Sequence, residues 1–169
     1  MATAYISLGS NLGNRIKNLE AALEDINSHV GRIEKMSKIY ETEPWGFDSP
    51  NWFLNMAIRI KTHFDPLGLL AKLKEIEKHL KRQPKTTEGY QSRTIDLDII
   101  FYDNKIIELD VLTIPHKHMH KRNFVLFPMS DIAPDFIHPV LKKTIRELTE
   151  NCKDETKIKR YDTITEREV

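Results

Sequence analysis

The chain has 169 residues, with 26 Lys and Arg against 25 Asp and Glu and a formal net charge of +1. It is long enough to bury a core without staples, and it has no charge surplus with which to grip nucleic acid or an anionic membrane. One cysteine, Cys152, excludes an internal disulfide framework; with no apolar run near the roughly 18 residues of a membrane span and no secretory leader pattern, a soluble cytoplasmic protein is expected.

Residues 4–8 (AYISL) read as a strand stopping at Gly9, where GSNLGN supplies turn and cap chemistry and matches neither phosphate-binding fingerprint. Ile16, Leu19, Leu23 and Ile26 recur at spacings of three and four, which predicts an amphipathic helix over 15–28 with Asn14 as N-cap. Residues 32–41 predict a charged edge strand, since Lys and Glu there discourage further pairing. TEPWGFDSPNW, 42–52, is a loop by its prolines, glycine and turn formers.

Over 53–62 the alternation is clean. Leu54, Met56, Ile58 and Ile60 fall on one face, and Phe53, Asn55, Ala57, Arg59 and Lys61 on the other. A helix from Pro66 to about Lys81 follows, with Leu69, Leu70, Leu73, Ile76 and Leu80 on its stripe and Glu77 along the stripe's edge. RQPKTTEGYQS, 82–92, has no periodicity and reads as a flexible connector or lid. Beyond it lie a strand over 94–102, a turn at Asp103-Asn104, a short apolar run over 105–109 and the loop TIPHKHMHKRNF. Residues 124–129 suit a short strand or core segment, a last helix covers about 141–151, and KIKRYDTIT in the charged tail is a candidate strand.

No repeat or linker divides the chain, so one domain is expected over 1–169, with 151–169 as a charged tail. The order strand, helix, strand, strand, helix, strand predicts an α+β, ferredoxin-like split βαβ sandwich with C-terminal additions. In that arrangement an antiparallel sheet carries helices on one face and the active site on the other.

In SRTIDLDIIFY, 92–102, period two puts Ile95, Leu97, Ile99 and Phe101 on the helix side and aims Asp96 and Asp98 together at the other face. Their Cα atoms fall roughly 7 Å apart, and their repulsion of about 2 kcal/mol at an effective dielectric near 20 calls for cations. Hard oxygen-seeking ions such as Mg²⁺, shared with substrate phosphates, answer that need. The alternative is a solvated sheet face whose aspartates pair with lysines. Basic residues for phosphate are at hand in Arg82, Lys85, Arg93, Lys117, Lys121 and Arg122. Phe53 and Asn55 form an aromatic platform beside an amide, which suits a flat heteroaromatic ligand. His116, His118 and His120 have no third soft ligand at zinc spacing, and a His donating to phosphate oxygens fits the acidic pair better.

AYISLGSNLGN at the start, YETEPWG and FLN at 40–55, RTIDLDII at 93–100 and LTIPHKHMHKRNFVLFP at 112–128 resemble, in order and spacing, the 6-hydroxymethyl-7,8-dihydropterin pyrophosphokinase family. The resemblance covers about residues 2–150. It implies transfer of pyrophosphate from ATP to the pterin hydroxymethyl group with release of AMP, in folate biosynthesis, using two Mg²⁺ ions. A monomer is expected separately, because no exposed apolar stripe is left over once the helices face the sheet. Carried over by position, the resemblance makes Asp96 and Asp98 the metal ligands, with Asp98 also positioning or deprotonating the hydroxyl. Phe53 and Phe124 become the rings that sandwich the pterin, with Asn55 as its amide partner and Thr42 and the backbone near Trp45 as the pocket wall. It assigns Arg82 and Arg93 to phosphate neutralisation from the mobile loop and its hinge, Lys85 and Tyr90 to the same loop, and Glu77, Ile99, Thr113, His116 and Arg122 to the nucleotide side. Pro84, Gly89 and Gln91 depart from the family's loop pattern, and Lys74 and Val111 replace a polar glutamine and an arginine. The competing functions are a nucleic-acid-binding module that stacks bases on sheet aromatics and a metal-dependent phosphohydrolase using the same carboxylates.

Overall fold

Alternating strands and two amphipathic helical stripes build the frame of the computed structural model, which describes residues 1–43, 52–81 and 94–161. Its first elements are β1 (Ala2–Ser10), α1 (Arg15–His29), β2 (Arg32–Met36), β3 (Tyr40–Thr42), β4 (Phe53–Thr62), α2 (Pro66–Leu80) and β5 (Asp96–Tyr102). They are followed by β6 (Ile107–Glu108), β7 (Thr113–Ile114), a 3₁₀ turn at Met119–Lys121, α3 (Asn123–Ile132), α4 (Ile145–Glu150) and β8 (Ile158–Arg160).

The main sheet runs β5-β1-β4-β3-β8, with β2 also on β4, and every pair is antiparallel. The expected charged strand over 32–41 is in fact two. β2 pairs with Ile58–Lys61 of β4 and β3 with Phe53–Asn55. Between them Ser37 trades bonds with Ala57, donating its N–H to the Ala57 carbonyl at 2.9 Å and accepting the Ala57 N–H on its hydroxyl at 2.8 Å. The edge expectation fails for β3, because the candidate strand in the tail, observed as β8, covers it.

Helices α1 and α2 form where the spacing predicts. Asn14 caps α1 by accepting the Lys17 N–H at 3.1 Å, and Asp65 caps α2 by accepting the Gly68 N–H at 2.7 Å with Pro66 opening the helix. Leu19, Ala22 and Ile26 of α1 and Leu69, Leu73 and Ile76 of α2 pack on Ala4, Ile6, Leu8, Leu54, Met56, Ile58 and Ile60 of the sheet. A fully buried leucine of this kind is worth about 1.5–3 kcal/mol over an exposed one.

The expectation of helices on one face only is wrong. Tyr5, Ala57, Ile100 and Phe101 on the opposite face are covered by Val125, Leu126, Met129 and Ile132 of α3 and Ile145 and Leu148 of α4. The segment at 124–129 is therefore helix and not strand, its apolar residues recurring at helical spacing although Pro128 forgoes one helix bond. The last helix is shorter than expected, starting at the Thr144–Glu147 capping box. Phe101 also departs from its expected face. A bulge on β5 opposite Tyr5 and Ile6 breaks the alternation, so that Phe101 packs against Phe136 in a tilted ring pair, 4.5 Å between centroids, while Tyr102 turns to the α1–α2 side. Helices α3 and α4 cover only part of this face, and the rest is left to a cleft.

Among the described residues no helix is long and apolar enough to cross a membrane.

Candidate active site

Three strands lay down the floor of a cleft of about 240 Å³, and α3 supplies one wall. Asp96 and Asp98 project from β5, Ser7 and Gly9 from β1, and Phe53 and Asn55 from β4, with Thr42 of β3 beyond; Arg122 and Phe124 approach from the start of α3. The register explains the grouping. Asp96 faces Gly9, which faces Asn55, and Asp98 faces Ser7, so the acidic pair and the aromatic–amide pair lie on one face with a strand between them. Two strand spacings separate β5 from β4 by about 10 Å.

Small residues on β1 keep the floor open. A methyl at Gly9 would meet Asn55 Oδ1 at 2.8 Å, closer than such contacts tolerate, so the amide can stand there only because position 9 has no side chain. Asn55 is 4% exposed and donates from Nδ2 to Thr42 Oγ1 at 2.7 Å. The bond fixes the amide plane from behind. Phe53 and Phe124 line the same cleft, and the Arg122 guanidinium lies 5.7 Å from the Phe124 ring centroid.

The acidic end is electrostatically loaded. Glu77 of α2 accepts the Leu97 N–H at 2.8 Å, which brings a third carboxylate beside the residue between the two aspartates. Burial, then the charges of Asp96 and Glu77, push the Asp98 carboxyl up to about 7 from an ordinary 3.8, against the opposing pull of Arg122 and Lys74. Burial also raises Glu77, opposed by its bond from Leu97 and aided by Asp96. A cation beside the aspartates would remove this cost, and the donors are all oxygens, so the pair fits a hard divalent ion. Among the described residues no group of three His, Cys, Asp or Glu is placed to hold a metal by itself.

Thr113 and His116 line a separate depression of about 200 Å³ with Lys117, His120 and His138. His116 donates its backbone N–H to the Ile100 carbonyl at 3.0 Å, and burial, Arg122 and His118 lower its imidazole's affinity for a proton while Asp96 opposes them. His116 thus links this depression to the acidic end. The Ile99 side chain is 4% exposed in the α1–α2 core, away from the cleft. Trp45, Arg82, Pro84, Lys85, Gly89, Tyr90, Gln91 and Arg93 lie outside the described residues.

Sequence reasoning missed Ser7, Gly9 and Glu43 as cleft residues and read Gly9 as a turn. A glycine inside an alternating strand is itself a signal of close approach, and it could have been used. It also missed that Lys74, on the α2 turn before Glu77, faces the carboxylates.

Residues 5–134 match the family model described as 7,8-dihydro-6-hydroxymethylpterin-pyrophosphokinase. The chain is 39% identical over 147 residues to the 2-amino-4-hydroxy-6-hydroxymethyldihydropteridine pyrophosphokinase of Aquifex aeolicus, covering 87% of this chain and 90% of that one. To the protein of the same name from Porphyromonas gingivalis it is 43% identical over 141 residues, covering 82% and 95%. Among solved structures, the wild-type HPPK-DHPS of Plasmodium falciparum with pteroate superposes with a TM-score of 0.74 at 20% identity. That match covers 88% of this chain and 44% of the longer one, and it speaks for the fold alone.

Proposed function

This chain belongs to the 7,8-dihydro-6-hydroxymethylpterin-pyrophosphokinase family, an ATP-dependent diphosphokinase of folate biosynthesis, and from that premise we propose how its residues divide the work. The reaction moves a pyrophosphoryl group from ATP to the hydroxymethyl group of 6-hydroxymethyl-7,8-dihydropterin and leaves AMP. One observation carries the assignment of parts: a carboxylate pair and an aromatic–amide pair share one cleft, a strand apart.

In this reading the pterin lies between Phe53 and Phe124, with its polar edge on Asn55 and Thr42 and on the backbone near Trp45. Stacking on two rings orients a flat heterocycle, and the pre-positioned amide selects its hydrogen-bonding edge. The hydroxymethyl oxygen then points along the floor toward β5. It attacks the β-phosphorus, the bond from that phosphorus to the oxygen bridging the α-phosphorus breaks, and AMP departs with the bridging oxygen. Asp98 orients the hydroxyl and takes up its proton.

Asp96 and Asp98 would hold Mg²⁺, in two ions shared with the triphosphate. When bound, these ions neutralise phosphate charge and align the reacting oxygens. His116, Thr113 and Arg122 bind the nucleotide side, Glu77 borders it, and a contact at Ile99 falls to its backbone. Arg82, Lys85 and Arg93 would neutralise phosphate charge, and Tyr90 would contact the nucleotide. We read the β5-β1-β4 core with α1 and α2 as a ferredoxin-like split βαβ unit, the whole of 1–169 as one domain, and the working enzyme as a cytoplasmic monomer without nucleic-acid partners.

Label transfer tests the assignment. With [γ-³²P]ATP, Mg²⁺ and the pterin, label should appear in the pterin diphosphate; label appearing as free inorganic phosphate, with or without pterin, would replace this reading by a phosphohydrolase. Phe124→Ala should raise the pterin KM by about two- to tenfold, the equivalent of one lost stacking contact, with little change in the KM for ATP.

A further inference from the structure

The match to the family model ends at residue 134, yet the segment from Cys152 to Tyr161 reaches back to both sides of the cleft. We propose that this segment is a strap, and that Asp154 is a positioning residue that holds the first turn of α3, and with it the Phe124 ring, in place against the pterin. The proposal rests on the reading of the cleft given above and adds to it a part of the chain with no role so far.

The strap is tied at two ends. On the floor side, β8 lies along β3 with Ile158 opposite Thr42, the hydroxyl partner of Asn55. The Glu43 N–H donates to the Lys157 carbonyl at 3.1 Å, and the Glu43 carboxylate accepts the Lys157 N–H at 2.8 Å. On the wall side, Asp154 Oδ2 accepts the Asn123 N–H at 3.0 Å, Asp154 Oδ1 accepts the Thr156 N–H at 2.9 Å, and Asn123 Nδ2 donates to the Thr156 carbonyl at 2.8 Å.

The wall-side bonds do a job that α3 does not do for itself. Arg122 occupies the N-cap position and makes no side-chain cap bond, so the carboxylate of Asp154 serves as the cap from a distant part of the chain. An anionic acceptor there satisfies an orphan N–H and complements the helix dipole. Burial works against the charged form, but the bonds from Thr156 and Asn123 and the charge of Arg122 outweigh it and keep Asp154 below its ordinary value. Asn123 is buried and its Oδ1 has no partner among the described residues, so the bond to Thr156 alone sets the orientation of that amide. Arg122 and Phe124 flank Asn123, and both line the cleft. A shift of this turn moves the pterin's wall.

The test compares Asp154→Ala with Asp154→Asn, which keeps the size of the side chain and one acceptor oxygen. At saturating ATP, the pterin KM should rise about fivefold in D154A, as for a lost helix cap, and less in D154N, with kcat within about twofold of wild type. A merely structural role would instead lower the apparent kcat, through fewer folded molecules, and leave KM unchanged. Hydrogen exchange of the amides of residues 123–126, measured without ligand, should quicken in D154A relative to the β1 and β4 amides. An unchanged pterin KM, or exchange at 123–126 equal to wild type, would overturn the strap. If D154A does not fold, D154N decides by the same two readouts. A wild type that binds no pterin while the variant still loosens 123–126 would overturn the reading of the cleft and uphold only the capping of α3 by Asp154.

Discussion

Asp98 sits where three negative charges meet, and its carboxyl is held near 7 by burial, Asp96 and Glu77. Because this folded value lies above the ordinary 3.8, the group's contribution to stability is full below 3.8 and is lost as pH rises through about 7. Asp98→Asn removes the titration. In EDTA, urea unfolding should find D98N more stable than wild type at about pH 8, with the difference closing as pH falls toward the ordinary carboxylate range; equal midpoints at both ends would contradict the electrostatic account. The same variant should lose about a hundred- to a thousandfold in turnover, on the scale of removing a main electrostatic stabiliser. Gly9 makes a second residue-scale prediction. A methyl there would press on Asn55 Oδ1 at 2.8 Å, so Gly9→Ala should raise the pterin KM about tenfold through overpacking and leave the KM for ATP alone. The aspartates were legible in the sequence because period two leaves them no other face. Gly9 was not, because its constraint comes from Asn55, a residue 46 positions away that only strand pairing brings opposite it.

The elements meet through single bonds as well as through packing. Glu77 ties α2 to β5 by accepting the Leu97 N–H at 2.8 Å. Glu77→Ala should cost about 1–3 kcal/mol in unfolding free energy, because it leaves that buried donor unmatched. Glu77→Gln, which keeps an acceptor, should recover most of the loss in urea unfolding at pH 7; equal losses in both variants would show that the bond does not matter. Helix and strand periodicity made α1, α2, β1, β4 and β5 readable from the residues alone. Two things hid the rest. The bulge that turns Phe101 from the α1–α2 core to the α3 side arises from the pairing of β5 with β1 and leaves no mark in the sequence of either strand. The helical spacing of Val125, Leu126, Met129 and Ile132 was interrupted to the eye by Pro128, which sits inside α3 without ending it.

In the molecule as a whole, the two faces of the sheet have different duties. One is filled by α1 and α2, while the other is shared between the α3–α4 layer and the cleft. The carboxylates therefore stand on a floor backed by a packed core, which restricts their movement while substrates come and go. Chemistry that depends on placing a flat ring and a triphosphate in line needs that rigidity. The most direct measurement is AMP release by the purified protein with ATP, Mg²⁺ and 6-hydroxymethyl-7,8-dihydropterin. AMP should form in step with pterin diphosphate, stop without pterin, and stop when EDTA removes the metal. Release of AMP that is indifferent to pterin, or none with all three present, would contradict the claim that the two ends of the cleft work on one reaction.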